Sequence, residues 1–557
     1  MKKQCFVSLF SLVICIAITA QEALRSPEEK YFDFLSLRGL IERPTLNFRT
    51  LSDNVWNISE TANHPWQAQN LGTFHQLSDN FLFGDFRARI YGPDLFMSVN
   101  TAAPYGQNDG VLWQGRGFNA RLKGGARLEG QWVQDHRLEL TFLPHFAFSQ
   151  NARFDFIQPN EVYRYNYRFN FTGRAELFGY HGIPFIDAPQ RFGNRAFFDW
   201  DFGDSEIRYA WRNFTVGFGT QAIWLGPAQL NPILHSNNAP AYPKLDIGLR
   251  RQPLTLPRSQ LHVGDFEFRL WWGSLTESAW FDNDPSNDRT LIAGYAFAYS
   301  FPSFLRGLTV GYNHIILSKE PLSLRGFLDT GTRGSTDTRI SIIIDYLLPI
   351  VGFNVYFEWG RDDYSPNLHY YIRYPFHTQA FTFGARKAFR INDRFKGKIL
   401  LEITNLESSR DYDRLIGWST TFYSHHRVIQ GHTNRGQWLG AGIGTGGNSQ
   451  YLGFTLFHPR GYGNIFFQRR NPDLDYTWFI DSLRDDHPYG TTAERNIRTF
   501  LDFGISGLYF FRPNLSFSGS FVFRDEHNPL NQARTDGSRR SERRFNVHLS
   551  TSIRFSF

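Results

Sequence analysis

Three imidazoles, His425, His426 and His432, share one short stretch with Arg435 and Trp438. Imidazole can ligate a metal, yet no Asp, Glu or Cys set accompanies these three at ligand spacing, so hydrogen bonding or ring stacking is their better use and no metal centre is expected. Ser424 beside His425 is the nearest approach to a nucleophile with its base, but adjacent residues of an extended chain point to opposite faces. Gly442, Gly444 and Gly447 have the spacing G-x-G-x-x-G, although Tyr451 to Phe457 alternates as a strand where a dinucleotide site needs a helix. The sequence holds no G-x-S-x-G elbow, no H-E-x-x-H pair and no phosphate-binding lysine loop. A non-enzymatic chain without a cofactor is expected.

A second stretch runs from Trp224-Leu225-Gly226-Pro227 through Asn231 to Pro240 and on to Pro243; its four prolines and three asparagines forbid a strand and impose a long ordered loop. Both stretches mix aromatic rings with amides, imidazoles and guanidinium groups. Flat rings suit the apolar faces of sugars and planar polar groups suit their hydroxyls. The candidate polysaccharide-binding residues are therefore Trp224, Asn237, Asn238, His425, His426, His432, Arg435 and Trp438. The same composition equally suits loops that fold back to plug or brace the body that carries them.

That body reads as strands. Tyr163, Tyr165, Tyr167, Phe169 and Phe171 alternate with Arg164, Asn166, Arg168 and Asn170. Phe266, Phe268, Leu270 and Trp272 alternate with Asp265, Glu267 and Arg269, and Phe353, Val355, Phe357 and Trp359 with Asn354, Tyr356 and Glu358. A side-chain period of two means a strand between two environments, one apolar and one polar. Further strands follow at 295–301, 399–403, 501–509 and 515–523, separated by turn-forming Gly, Pro, Asn and Asp. Aromatic residues make up 17% of the chain although mean hydropathy is only −0.39, and the most apolar stretch after the signal, 340–357, is broken by Asp345, Pro349 and Asn354. No helix could span a bilayer, which leaves the closed barrel as the other way to satisfy every backbone group in lipid. A soluble sandwich would also alternate, but should bury Leu, Ile and Val rather than crowd Phe and Tyr on the apolar face.

The two ends agree with export to an outer membrane. Lys2 and Lys3 precede an apolar run from Phe6 to Ile18 that closes on Ala20, as in a cleaved signal peptide; both cysteines, Cys5 and Cys15, fall inside it. The segment from Phe545 to Phe557 alternates to its terminal phenylalanine and resembles the strand by which barrel-insertion machinery recognises outer-membrane proteins. The expected organisation is residues 1–20 as signal peptide, 21–79 as a less regular periplasmic or lumenal segment, and 80–557 as a transmembrane antiparallel barrel embedded in outer-membrane lipid. Net charge is +7, but only nine of the 59 basic residues are Lys. Dispersed Arg can meet acidic sugars or pair with carboxylates of the wall. Without a basic run or a binding motif, nucleic acid is an unsuitable partner.

In its two loops the sequence resembles the Wzi capsule-assembly family of outer-membrane proteins. The resemblance lies in Trp224 to Pro227 followed by Ile233 to Pro240, in Trp271-Trp272-Gly273-Ser274, and in Phe422 to His426 with Gln430-Gly431 and the glycines after it. Asn108-Asp109-Gly110 with Trp113-Gln114-Gly115-Arg116-Gly117 adds to it. The resemblance implies a barrel of about eighteen strands that acts as a lectin for capsular or surface polysaccharide. It also implies an N-terminal helical bundle, from which this chain departs, since Tyr31 to Arg49 contains Pro44 and alternating residues. Two rival readings rest on the same barrel: a specific porin or diffusion channel, and an outer-membrane hydrolase.

Overall fold

The structure, a computed structural model, describes residues 20–58, 63–81, 84–133, 135–157, 186–282, 284–302, 305–319, 336–362, 368–407, 422–425, 427–472, 474–475, 497–530 and 542–557. Eighteen antiparallel strands close into one barrel. In chain order they begin with β1 (Gly84–Asn100), β2 (Gly117–Val133), β3 (His136–Phe142, resuming at His145–Ser149), β4 (Phe197–Asp201, resuming at Glu206–Trp211), β5 (Phe214–Gly219) and β6 (Lys244–Thr255). Then come β7 (His262–Thr276), β8 (Arg289–Ser300), β9 (Leu308–Ser318), β10 (Thr336–Leu348), β11 (Phe353–Asp362) and β12 (Gln379–Arg390). The last six are β13 (Lys396–Asn405), β14 (Asn448–His458), β15 (Gly461–Asn471), β16 (Thr499–Arg512), β17 (Leu515–His527) and β18 (Arg543–Ser556), and β18 pairs with β1 to complete the ring.

The wall is inside out relative to a soluble protein. On β7, Asp265, Glu267, Arg269 and Trp271 point inward and are buried, whereas Phe266, Phe268 and Leu270 face out. Phe198, Phe511 and Ile505 are 84%, 72% and 61% exposed, as a lipid-facing surface requires. No described helix is long and apolar enough to cross a membrane, and the strands do the crossing. The Tyr163–Phe171 alternation lies outside the described residues, as do residues 1–19.

Short turns such as 212–213, 459–460 and 513–514 lie at one end of the barrel; the long connections 101–116 and 220–243 lie at the other. In barrels of this class the long loops face outward from the cell. A crease crosses the wall where β3 is interrupted at Leu143-Pro144 and β4 at Phe202–Ser205. Proline cannot donate to the ladder, and a Cβ on Gly125 of the adjoining β2 would lie 1.8 Å from the Phe142 carbonyl oxygen, so the bend admits only glycine there.

The lumen is filled from both ends. Near the short turns, helix α1 (Pro27–Leu37) is capped by Ser26, whose hydroxyl accepts from the Glu29 N–H at 3.2 Å, with Pro27 opening the first turn. Tyr31, Phe34, Leu35 and Leu37 pack against Phe457, Leu508 and Phe510 of the wall. The expected irregular segment thus holds one helix, but no bundle among the described residues. Beyond it the Thr220–Pro243 loop turns inward, and its Trp224–Leu225 pairs with Phe48–Arg49. Wall carboxylates hold both pieces by their backbones. Glu267 accepts from Leu46, Asn47 and Phe48 N–H at 2.8, 3.0 and 2.6 Å, and Glu402 from Gln229 and Asn231 N–H at 2.7 and 2.8 Å.

Candidate functional site

At the long-loop end the chains that fill the lumen leave a cleft of about 240 Å³. Its walls come from loop 101–116, the in-turned loop, and the hairpin Thr433–Trp438. Trp113 and Trp438 line it with Phe154 and Phe156; amides come from Gln107, Gln114, Asn238 and Gln437, and guanidinium groups from Arg470 and Arg544 on the wall. Asn238 is locked in place, its Nδ2 donating to the Trp438 carbonyl at 3.1 Å and its Oδ1 accepting from the Asn108 N–H at 2.9 Å. The Trp113 Nε1 is buried without a hydrogen-bond partner. The guanidinium groups share their carboxylates: Arg470 and Arg524, which also lines the cleft, meet Asp502 at 3.0 and 2.6 Å, and Arg544 meets Glu526 at 2.6 Å. This arrangement can bind by stacking and amide hydrogen bonds.

The residues expected from sequence divide between this cleft and the packing beneath it. Asn238 and Trp438 line the cleft; Asn237 adjoins it, its carbonyl accepting from the Gly110 N–H at 2.9 Å. Trp224 is fully buried in the lumen, with its Nε1 donating to the Ala228 carbonyl at 3.0 Å and Arg25 stacked 4.0 Å above its ring. His432 is also fully buried, stacked on Tyr423 at 5.2 Å, and its Nε2 donates to the Leu234 carbonyl at 2.6 Å. Burial, reinforced by Arg339, holds its pKa well below the usual imidazole value, so it is a neutral packing element. His425 is buried and its Nδ1 accepts from the Val428 N–H at 3.1 Å. His426 lies outside the described residues.

Arg435 stands on the other side of the hairpin from Trp438. Its side chain pairs with Asp199 and donates to the Trp200 carbonyl at 3.2 Å on β4, while its N–H donates to the Thr276 carbonyl at 2.8 Å on β7. Sequence reasoning did not single out Trp113, Gln107 or Gln437 as binding residues. The first was visible as part of the Trp113–Gly117 pattern, but nothing in the sequence said that this loop would meet the hairpin.

Among the described residues one acidic trio, Glu277, Asp282 and Asp288, converges within metal-ligand range. The Lys319 ammonium already lies 3.2 Å from Glu277 and 2.6 Å from the Asn287 carbonyl, which fills the cationic role. The glycines 442, 444 and 447 form loop and are not followed by a helix.

Fold and lumen together define the class: an outer-membrane-type barrel whose interior is occupied by its own chain and which keeps an aromatic cleft at the long-loop end. Neither a protein-family model nor a curated protein matches the sequence. Among solved structures the chain is similar to Wzi of Escherichia coli, an outer membrane protein involved in group 1 capsule assembly and a carbohydrate-binding β-barrel. Identity is 12% and the TM-score 0.58, over 97% of this chain and 99% of that one. An anion-selective porin from Comamonas acidovorans and a mutant Rh. blastica porin also match, each at 10% identity, with TM-scores of 0.33 and 0.31 over 85% and 84% of this chain. At these identities the likeness is one of fold.

Proposed function

We propose that this barrel is a non-enzymatic surface lectin that binds capsular or other surface polysaccharide and supports its attachment to the cell. The observation that carries the reading is the cleft itself: Trp113 and Trp438 beside fixed amides, at the outward end of a lumen filled by α1 and the in-turned loop. A sugar ring stacks on indole while its hydroxyls meet Asn238, Gln107 and Gln437, and the Trp113 Nε1 gains an acceptor. The test is a glycan array on the detergent-solubilised protein and on Trp113→Ala/Trp438→Ala. Loss of two stacking rings at roughly 0.5–1.5 kcal/mol each weakens the best ligand by about tenfold or more. Equal binding by the double variant, with the barrel intact, overturns the assignment.

A further inference from the structure

The barrel wall has a notch. β5 ends at Gly219, paired with Lys244, and the chain then turns into the lumen. Above that level the Phe197–Asp201 part of β4 pairs with β3 on one edge, and among the described residues no strand pairs with its other edge. Across the gap, β7 continues to Thr276 beyond the last residue of β6 that pairs with it. Two stitches span the opening: the Ala241 N–H donating to Asp201 at 2.9 Å, with Ser274 N–H on the Pro243 carbonyl at 3.1 Å, and higher up Arg435, which touches both banks.

At the notch lies a chamber of about 640 Å³ whose surface is mainly apolar, from Phe192, Ala196, Phe197 and Trp280, with the Glu277 and Asp199 carboxyls and Arg435 also on its wall. Its volume falls within the range of ligand pockets, roughly 300–1,000 Å³. Apolar chambers of this kind are poor places for water. On the same strand Phe198 and Trp200 point outward, 84% and 54% exposed, so the notch stands in the lipid-facing belt of the wall. Arg435 spends its charge on Asp199, whereas Arg195, exposed at the rim, has no carboxylate partner among the described residues.

We propose that this notch is a lateral portal that takes an acyl chain of an anionic outer-leaflet lipid, with the lipid head group against Arg195. The occupant follows from the position: the medium next to a strand edge in a membrane wall is hydrocarbon where, as among the described residues here, no strand pairs with it, and the Arg195 cation at its rim complements a phosphate or carboxylate head. The proposal needs the barrel and not the glycan reading. It does place a lipid beside the cleft, since the hairpin that carries Arg435 into the chamber carries Trp438 into the cleft, and Phe192 of the chamber packs on Trp113 at 4.9 Å.

Spin labelling tests it. The cysteines of the sequence are Cys5 and Cys15; with both changed to serine, single labels go at Ala196→Cys in the chamber, Phe198→Cys on the lipid face and Asp393→Cys on an exposed turn. In vesicles of phosphatidylethanolamine and phosphatidylglycerol, the chamber label shows the high oxygen and low nickel-chelate collision rates of Phe198→Cys, and lipids with a doxyl-labelled chain broaden its spectrum. With the label moved to Thr276→Cys, filling the chamber by Ala196→Trp removes that broadening. A chelate rate like that of Asp393→Cys means a water-filled chamber and overturns the portal. A label shielded from both reagents means that protein covers it and overturns the portal equally. Glycan binding measured on the same samples reports on the lectin reading separately.

Discussion

The Trp224 indole and the Trp438 indole have the same chemistry and opposite situations. Trp224 has Arg25 on one face and a carbonyl on its Nε1, so Trp224→Ala leaves a cavity and an unstacked cation, at a cost of about 3–5 kcal/mol. Its expected signature is a lower thermal midpoint with unchanged glycan affinity per folded molecule, measured by heat-modifiable gel mobility alongside binding. Trp438→Ala should do the reverse. Two loop carboxyls beside the chamber carry a pH dependence. Burial lifts Asp187 to about 7, although it accepts from the Ser278 N–H and hydroxyl, and lifts Glu277 to about 8, with Asp187 and Asp282 adding to the rise against Lys319. Both folded values exceed the unfolded ones, so the folded state binds more protons between about pH 4 and 8 and stability falls as pH rises through that window. Limited proteolysis of the 277–288 loop should therefore accelerate above pH 7, and Asp187→Asn/Glu277→Gln should flatten the profile.

Between elements, charge does the joining. Arg127 meets Glu22, Glu129 and Glu139, Arg250 bridges Glu139 and Asp53 at 2.9 and 2.7 Å, and Arg269 joins Asp53 at 2.8 Å to Asp246, which Arg208 meets at 2.6 Å. This chain of ions ties the N-terminal segment to β2, β3, β4, β6 and β7. Burial alone would raise the Asp53 carboxyl, but Arg269, Arg250 and Arg208 overcome it and hold its pKa well below the carboxylate range. A depressed folded value gives stability that is complete above the unfolded pKa, about 3.9, and lost as pH falls below it. Asp53→Ala takes one of two carboxylates from each of the buried Arg250 and Arg269 guanidinium groups, with an expected loss of about 1.5–3 kcal/mol, read as earlier release of the N-terminal segment to protease. Replacing Asp53, Arg250 and Arg269 together with apolar residues should cost less than Asp53→Ala alone.

For the molecule as a whole, the filled lumen separates the lectin reading from the porin reading. Helix α1, the in-turned loop and the ion chain occupy the space that a diffusion pore keeps open. Planar-bilayer recordings should show little conductance for the intact chain, and Asp53→Ala should add intermittent openings as the N-terminal segment loosens. A steady large conductance in the intact protein would favour transport instead.

How much of this was legible follows from range. Strand, barrel and lipid-facing belt could be read directly, because period-two alternation is a local property and an aromatic face opposite an Arg and Asn face has few stable homes. The two special loops were legible as loops, since Pro and Asn decide that within a few residues. Helix α1 was signalled by Ser26-Pro27-Glu28-Glu29, a cap and first turn, but the alternation and Pro44 that follow it hid the signal. Only the tertiary structure decided which loop rings stay open and which are sealed. Trp224 and His432 are closed over by Arg25 and Tyr423, Arg435 stitches a break in the wall, and Trp113 arrives in the cleft from a loop more than a hundred residues earlier in the chain than Asn238 and Trp438. Burial and unpaired strand edges depend on contacts between segments far apart in sequence, and local composition carries no record of them.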